Sequence, residues 1–415
     1  MTNPKKPELL SPAGSFESLH AAIRGGADAI YFGVEQLNMR TKSIPPFTIA
    51  DIKEVAAVCK AGHVKANLTL NTVIYDYDMQ LARKIVKTCV QEGIDAVIAS
   101  DFAVFEICRE EGMPLHISTQ ANVSNIDSVA FFSQMADVIV LARELTLKQI
   151  EGITKEIKRR GIRGKSGELM KIETFIHGAL CMAVSGKCYL SLHEMNASAN
   201  RGACVQNCRR PYLVTDLETG NELLIDNEYI MSPKDLCTID FMDELIGAGI
   251  DVFKIEGRTK SADYVYTTTK CYREAIDSVL QGTYNEERIE CWRKELDKVY
   301  NRGFWEGYYL GRKLGAWTRN PGSSATEKKV YVAKATRYYP KIHVAEFLLE
   351  SGSIEEGETV MIIGRDTGAD KVVLDPLMVN GVRNNKANRG DKITFHFERK
   401  IRAKDKLYKV VTENA

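Results

Sequence analysis

The chain has 415 residues, of which 44% are hydrophobic and 27% charged, and its formal net charge is +1. These values are typical of a soluble globular protein with a large core, and they exclude a global electrostatic attraction to nucleic acid. The first residues, MTNPKKPELL, lack the apolar core of a signal peptide, and no run of about 18 apolar residues could span a membrane. We therefore expect a cytoplasmic protein.

A short pattern recurs along the chain: a small or flexible residue, then Asp, then an apolar run. The four copies are GGADAIYFG (25–33), EGIDAVIAS (92–100), QMADVIVLA (134–142) and AGIDVFKIE (248–256). Three of them carry Gly where a helix should end, and each apolar run is typical of a buried parallel strand. Similar buried strands are predicted over 8–14, 63–72, 113–119 and 171–178. Amphipathic segments predict helices over 15–24, 49–61, 77–91, 101–111, 124–135, 146–159 and 261–281.

Eight strands, each followed by a helix or an insertion, predict an eight-stranded α/β barrel of the TIM type. A doubly wound open sheet is the alternative, although no G-x-G-x-x-G opens the first strand-to-helix turn. In a barrel, functional side chains lie at the carboxyl ends of the strands. The residues expected there are Ser11, Glu35, Asn71, Asp101, Gln120, Arg143, His177 and Glu256.

The sequence pattern changes near residue 326, from alternating predicted helices and strands to short β-rich runs separated by Gly, Asn and Asp. We therefore predict two domains, a barrel domain over 1–325 and a small C-terminal all-β barrel over 326–415. The linker between them is TRNPGSSATEKK (318–329). A Cys-rich insertion of about residues 178–240 follows the seventh barrel strand and should lie on the functional face.

Five of the ten cysteines fall within 57 residues: Cys181, Cys188, Cys204, Cys208 and Cys237. In a cytoplasmic protein, such a cluster indicates a metal site rather than disulfides. Only Cys204 and Cys208 have the spacing usual for structural zinc, so the wider spacing favours an iron–sulfur cluster. Zinc and metal-free reactive thiols remain alternatives. The third position of a Cys-x-x-x-Cys-x-x-Cys motif is Pro211, which argues against radical chemistry with S-adenosylmethionine.

Further polar residues are predicted on the same face. His177 lies close to Cys181 and could activate a thiolate, or it could be a hydrogen-bonded residue at a strand end. Cations that could clamp a carboxylate or phosphate follow the eighth strand and flank the cysteines, and the alternative for them is surface ion pairing. These candidates, with the acids beside them, are Lys254, Glu256, Arg258, Lys260, Lys234, Asp235, Arg209 and Arg210.

Two stretches are strongly basic. Residues 155–165 contain six Lys or Arg against one acid, and residues 383–409 contain ten against three. They are either sites of local contact with nucleic acid or solvated faces.

The stretch ETFIHGALCMAVSGKCYLS (173–191) resembles the signature of peptidase family U-32, the collagenase-like proteases. The matching positions are Glu173, Phe175, Gly178, Ala179, Leu180, Cys181 and Cys188. The resemblance extends to four shorter stretches, ELLSPAG, GADAIYFG, SPKDLC and FKIEGR. A further stretch, RGACVQNCRRPY, is similar to the family's G-T-C-x-x-x-C-R-W-x-Y segment, with Arg210 where Trp is common. The terminal β-domain is similar to the family's translation-factor-like barrel.

The resemblance implies a function other than the family name suggests, because members include bacterial proteins that hydroxylate RNA bases or the ubiquinone ring with a 4Fe–4S cluster. It implies Cys181, Cys188, Cys204 and Cys237 as ligands, with Cys208 as the alternative. The layout looks most like the tRNA hydroxylation proteins, which form 5-hydroxyuridine at the wobble position with prephenate as the oxygen donor. Its partners would be tRNA and an electron-donor protein.

From these observations we predict a catalytic role for His177, Lys254 and Glu256. Substrate binding is predicted for Arg209, Arg210, Lys234, Asp235 and Arg258. Two other functions stay open. One is a peptidase with Cys181 as nucleophile, and the other is a non-catalytic iron–sulfur scaffold for a partner enzyme.

Overall fold

A computed structural model describes residues 6–39, 47–212, 215, 217–220, 231–311, 315–318 and 322–412. Parts of the predicted insertion (213, 214, 216 and 221–230) and linker (319–321) lie outside the described residues. No helix within the described ranges is long and apolar enough to cross a membrane.

Eight parallel strands close into a barrel. The first nine strands are β1 (Glu8–Pro12), β2 (Ala29–Phe32), β3 (Lys65–Leu70), β4 (Ala96–Ala99), β5 (Leu115–Ile117), β6 (Val138–Val140), β7 (Lys171–Gly178), β8 (Asp235–Cys237) and β9 (Val252–Ile255). Strands β1 to β7 pair in sequence, β7 pairs with β9, and β9 pairs with β1. The predicted α/β barrel is confirmed, and the open-sheet alternative is wrong.

The barrel is surrounded by helices, most of which the amphipathic pattern predicts. They are α1 (Phe16–Arg24), α2 (Ile52–Ala61), α3 (Met79–Glu92), α4 (Phe102–Glu111), α5 (Ile126–Phe132), α6 (Leu147–Arg160), α7 (Leu190–Met195), α8 (Met242–Gly247), α9 (Ala262–Leu280) and α10 (Glu286–Asp297). Side-chain caps set several of their starts: Ser15 accepts from the Ser18 N–H, and Asp101 accepts from the Ala103 N–H. The helices between barrel strands, such as α1, α3 and α6, pack an apolar face on the outside of the barrel.

The strand β8 is an addition to the barrel that the sequence pattern did not predict. It runs antiparallel to β7, with His177 opposite Cys237 and Gly178 opposite Leu236. A further short strand, β10 (Phe304–Trp305), pairs with β8. The Cys-rich insertion leaves the barrel at the end of β7 and returns through β8, which ties both of its ends to the same strand.

The register between β7 and β9 shifts near the end of β7. Phe175 lies opposite Lys254, but His177 lies opposite Ile255, so two residues of β7 advance for one residue of β9. Such a bulge reverses the direction of the side chains that follow it. Glu173 and Phe175 precede the shift and His177 follows it. The side chain of His177 therefore points to the opposite side of the strand from those of Glu173 and Phe175.

The C-terminal region is an antiparallel all-β structure, as predicted. Its strands are β11 (Glu327–Tyr339), β12 (Val344–Leu349), β13 (Ser353–Glu355), β14 (Thr359–Gly364), β15 (Gly368–Val373), β16 (Met378–Val379), β17 (Val382–Arg383), β18 (Lys386–Asn388), β19 (Lys392–His396) and β20 (Lys406–Thr412). Eight of them form a sheet in the order β15-β14-β20-β11-β12-β19-β16-β17, and β13 pairs with β18. This region has its own apolar core, which includes Phe347, Ile362 and Phe395.

The C-terminal region docks against helices of the barrel. Arg24 of α1 pairs with Asp370 and donates to the carbonyl oxygens of Thr367 and Ala369. Arg365 forms a bidentate pair with Glu54 of α2 at 2.6 and 2.8 Å. Ion pairs with the barrel helices therefore join the two regions.

Candidate functional site

A cavity of about 160 Å³ lies at the carboxyl ends of the barrel strands, under the Cys-rich insertion. The barrel contributes the polar side chains of Thr69, Asn71, Gln120, Arg143, Lys254, Glu256 and Arg258 to its lining. The insertion contributes four cysteines: Cys181, Cys188, Cys204 and Cys208. Thiols and charged groups thus meet in one enclosed space.

The four thiols come from different parts of the insertion. Cys181 follows β7, Cys188 precedes α7, and Cys204 and Cys208 lie in the loop and the short 3-10 turn after it. Burial raises the pKa of Cys208 to about 11, with Arg209 acting against the rise and the neighbouring thiols of Cys181, Cys204 and Cys188 contributing to it. This mutual influence is the behaviour of thiols that share a site, and a bound metal would deprotonate them.

Contacts with the barrel loops hold the insertion in place. Arg201 forms an ion pair with the buried Asp78 and donates to the carbonyl oxygen of Val73 at 2.7 Å. On another side, Asn122 donates through Nδ2 to the carbonyl oxygen of Ser185 at 3.0 Å. The thiols are therefore carried on a segment that several strand-end loops position.

Four thiols around one cavity are the donor set of an iron–sulfur cluster or of a tetrahedral zinc site. Among the residues that the structure describes, no three His, Cys, Asp or Glu side chains converge closely enough to hold a single metal ion. Thiolates are donors to both kinds of metal group, so the residue types present fit either one.

Cys237 does not share this cavity. Its side chain is 5% exposed and lies at the end of β8, where its Sγ accepts from the hydroxyl of Tyr272 at 3.6 Å. Burial raises its pKa to about 12. Of the four predicted ligands, the structure therefore brings together Cys181, Cys188 and Cys204, and it places Cys208, the alternative, with them instead of Cys237.

His177 is also outside the cavity lining. The bulge in β7 turns its side chain outward, where Nδ1 lies 3.2 Å from the Tyr272 hydroxyl and the ring packs against Tyr264 and Phe304. Burial lowers its pKa to about 3. Together with Cys237, it forms a buried pair of a neutral imidazole and a neutral thiol around one tyrosine hydroxyl. That arrangement does not supply a reactive thiolate.

A buried ion pair forms part of the floor of the cavity. Lys254 Nζ lies 2.6 Å from Glu173 Oε1, and the ammonium also sits 4.5 Å from the centre of the Tyr31 ring. Burial raises the pKa of Glu173, and the neighbouring Lys254 acts against that rise. Lys254 thus reaches the cavity held by one carboxylate and two aromatic rings, those of Tyr31 and Phe175.

Arg258 and Glu256 stand beside this pair. Arg258 Nη1 donates to Thr69 Oγ1 at 2.5 Å, and Glu256 Oε2 accepts from the Tyr31 hydroxyl at 3.1 Å. The side chains of Arg258 and Asn38 crowd Gly33: a Cβ there would lie 2.6 Å from Arg258 Nη1. This close approach explains why GADAIYFG ends in glycine.

The other predicted binding residues lie outside the main cavity. Arg209 lines a smaller neighbouring cavity, where it donates to the carbonyl oxygens of Leu180 and Pro233 at 2.8 Å each. Arg210 is exposed. Lys234 is half-buried and contributes backbone hydrogen bonds, and the buried Asp235 pairs with Arg302 at 3.2 Å. These residues shape the insertion rather than the floor of the main cavity.

Half of the residues predicted at the carboxyl ends of the strands line the main cavity. These are Asn71, Gln120, Arg143 and Glu256. The other four have local roles. Ser11 hydrogen-bonds to Thr269, and Glu35 accepts from the Ile49 N–H. Asp101 caps α4, and His177 packs outward against Tyr272.

Sequence reasoning also missed partners that no local pattern marks. Glu173 and Tyr31 lie in mid-strand, and the inward alternation of side chains was the signal that could have found them. Arg302 follows α10 and is distant in sequence from Asp235, with which it forms an ion pair. No sequence pattern indicates that contact.

The two basic stretches are partly neutralised within the described part of the chain. Arg159 and Arg160 both pair with Glu156. Six cations of the 383–409 stretch pair with acids, as Arg383–Glu356, Lys386–Glu355, Lys392–Glu346, Arg399–Asp370, Arg402–Asp366 and Lys409–Glu358. Much of their charge is therefore compensated locally, as expected of solvated faces.

Acid should destabilise this protein through its buried histidines. Burial lowers the pKa of His177 and of His116 to about 3 from 6.5. Between these values the unfolded chain binds protons that the native state does not, so stability falls as the pH falls, by up to about 1.4 kcal/mol per pH unit for each histidine. We expect His177→Phe to reduce the slope of unfolding free energy against pH in urea titrations between pH 7 and 5.

The matched control for that experiment is His193→Gln, since His193 is exposed. It should leave the slope unchanged. An unaltered slope in His177→Phe would show that the imidazole is not held neutral by burial.

The sequence of this chain is similar to those of known proteins. Residues 14–319 match Peptidase family U32. A "Collagenase" of Porphyromonas gingivalis is 49% identical over 402 residues, which cover 97% of each chain. The "tRNA hydroxylation protein P1" of Bacillus subtilis is 35% identical over 314 residues, covering 74% of this chain and 72% of that one. The "23S rRNA 5-hydroxycytidine C2501 synthase" of Escherichia coli is 34% identical over 319 residues, covering 75% and 46%. The chain therefore belongs to peptidase family U32.

Proposed function

We propose that this protein takes part in the hydroxylation of a base in RNA, with a 4Fe–4S cluster held by Cys181, Cys188, Cys204 and Cys208. The observation that carries the proposal is the meeting of these four thiols with the polar floor of the barrel in one cavity. The names of two relatives, a tRNA hydroxylation protein and an rRNA hydroxycytidine synthase, support the choice of reaction.

A cluster in this position would supply one-electron transfer at the mouth of the barrel. The residues of the chain would bind and orient the substrates. Lys254 and Arg258 present positive charge to the cavity, which suits an anionic co-substrate, and Asn71 and Gln120 offer amide groups that can hydrogen-bond the edge of a base.

The resemblance to the tRNA hydroxylation proteins narrows the proposal further. We infer that the substrate is the wobble uridine of tRNA, that the product is 5-hydroxyuridine, and that prephenate donates the oxygen. Prephenate carries two carboxylates, and Lys254 and Arg258 would hold a carboxylate by charge-assisted hydrogen bonds. An electron-donor protein is the further partner that we propose for the cluster.

The proposal is tested by nucleoside mass spectrometry of tRNA and rRNA from a strain that lacks the protein. We expect one hydroxylated nucleoside to disappear and its unmodified parent to accumulate. Wild-type protein should restore it, Cys204→Ser should not, and Cys291→Ser, which alters an exposed cysteine of α10, should restore it fully. An unchanged nucleoside profile in the deletion strain would refute the proposal.

A peptidase is the second candidate, because the relative that is 49% identical is named a collagenase. Burial keeps both members of the pair formed by Cys237 and His177 neutral. Among the four thiols that line the main cavity, the exposed one is Cys181, which would be the nucleophile. Cleavage of denatured collagen by anaerobically purified protein, abolished by Cys181→Ala, would favour this candidate over RNA hydroxylation.

A further inference from the structure

A second cavity, of about 80 Å³, adjoins the main one on the far side of the thiols. Cys181, Cys204 and Cys208 form part of its lining, together with Glu256. Its lining also contains Gln206 and Thr259 and four cations from different segments, which are Arg143, Arg209, Lys260 and Arg302. Such a concentration of like charges in a small space is unfavourable unless something compensates it.

Lys260 is a cation of this cavity that forms no ion pair with a carboxylate within the described residues. Its ammonium rests on the ring of Tyr300, 3.0 Å from the ring centre. Burial and the nearby Arg302 lower its pKa to about 7, while the charges of Asp235 and Glu256 act against them. An ammonium kept in this position without an ion pair is suited to meet an anion from outside the chain.

The neighbouring arginines do not remove this excess of charge. Arg209 is occupied by neutral acceptors, which are the carbonyl oxygens of Leu180 and Pro233 and the hydroxyl of Ser232. Arg302 has one acid, Asp235, and also lies over the Tyr300 ring, 5.2 Å from its centre. Their guanidinium groups are thereby held in fixed positions, which is the property needed to receive an oxyanion.

The position of this cavity in the fold is a second and independent argument. Lys260 lies in the loop after β9, the eighth barrel strand, and Arg209 lies in the insertion after β7, the seventh. In barrels of this type, the loops after the seventh and eighth strands are a frequent site for phosphate groups.

We propose that this cavity binds an oxyanion, a phosphate or carboxylate group, between Lys260, Arg209 and Arg302. The anion would lie beside the thiols of Cys204 and Cys208. The proposal deepens the proposed function, since its natural occupant would be either a backbone phosphate of the RNA or the carboxylate of a small co-substrate. The binding itself does not depend on which reaction the protein performs.

The experiment measures binding of two probes, inorganic phosphate and malonate, to the full-length, anaerobically purified protein by isothermal titration calorimetry. We expect saturable binding of one anion per chain, weakened about tenfold or more by Lys260→Met, which corresponds to about 1.4 kcal/mol or more. Lys260→Arg should retain most of the affinity. Lys270→Met, which alters an exposed lysine of α9 paired with Glu274, is the matched control and should leave it unchanged.

Competition then separates the two sources of the anion. Displacement of phosphate by tRNA but not by malonate assigns the site to the RNA backbone, and displacement by malonate alone assigns it to a small carboxylate. The proposal is overturned if neither probe binds, or if both bind Lys260→Met as tightly as wild type. It is equally overturned if Lys260→Met changes only the iron content, because the cations would then serve the thiolates alone.

These outcomes are distinguishable from failure of the proposed function. An unchanged RNA nucleoside profile with intact phosphate binding would refute RNA hydroxylation and leave the anion site standing. Circular dichroism and thermal unfolding of each variant show whether the loss of binding comes from the site or from the fold.

Discussion

Cys208→Ser should remove most of the iron from the purified protein, whereas Cys237→Ser should leave the iron content unchanged. The reason is geometric, because Cys208 shares a cavity with Cys181, Cys188 and Cys204, while Cys237 is buried at the end of β8 against Tyr272. A 4Fe–4S cluster contains about four irons per chain and needs a thiolate at each corner for full stability. Iron and sulfide assays with an anaerobic visible spectrum measure the effect directly.

This comparison also decides between the two ligand sets that the sequence allowed. The control is Cys271→Ser, a buried cysteine of α9 that does not line the cavity, which should keep its iron and its colour. Loss of iron in Cys237→Ser with retention in Cys208→Ser would reverse our assignment. A colourless wild-type protein with stoichiometric zinc would refute the cluster altogether.

The second large effect is expected on stability. Glu173→Gln should lower the free energy of unfolding by about 3–5 kcal/mol, because it leaves the buried ammonium of Lys254 without its carboxylate. The pair is 2.6 Å apart, and Glu173 is fully buried. Urea or guanidinium unfolding of the purified protein at pH 7 measures the change.

Two further variants show whether the charge or the packing is responsible. The double variant Glu173→Gln with Lys254→Met should be less destabilised than Glu173→Gln alone, since it removes the unpaired ammonium. Glu151→Gln, which breaks the exposed pair with Lys155, should cost about 1 kcal/mol or less. A loss of stability that is equal in the single and double variants would mean that the ion pair is not the cause.

The two predictions address different properties of one cavity. The thiols on the insertion decide whether a cofactor is held, and the ion pair in the floor decides whether the barrel is stable enough to carry it. Lys254 belongs to the floor and also faces the cavity, so a loss of activity in its variants is interpretable only when stability is measured with it. The anion site beside Lys260 is a third property, which binding measurements test separately.

Much of the fold could be read from the chain alone. The repeated change from glycine to Asp and an apolar run marks the start of successive strands, and amphipathic segments of helical period lie between them, so local physics indicates a barrel. The same periodicity placed Asn71, Gln120, Arg143 and Glu256 at strand ends, and the structure brings those four to the cavity. The density of cysteines after the seventh strand likewise marked the functional face.

What the sequence could not determine depends on contacts between distant segments. A one-residue bulge in β7 turns His177 away from the cavity, and no local pattern predicts a bulge. The pairing of β8 with β7 leaves Cys237 outside the cavity lining, whereas Cys208 lines the cavity with the other thiols. The chain by itself therefore determined the barrel and the cysteine-rich face. The tertiary structure alone decided which thiols line the cavities, and which of the cations between residues 143 and 302 line them too. These contacts depend on strand register and packing rather than on sequence spacing.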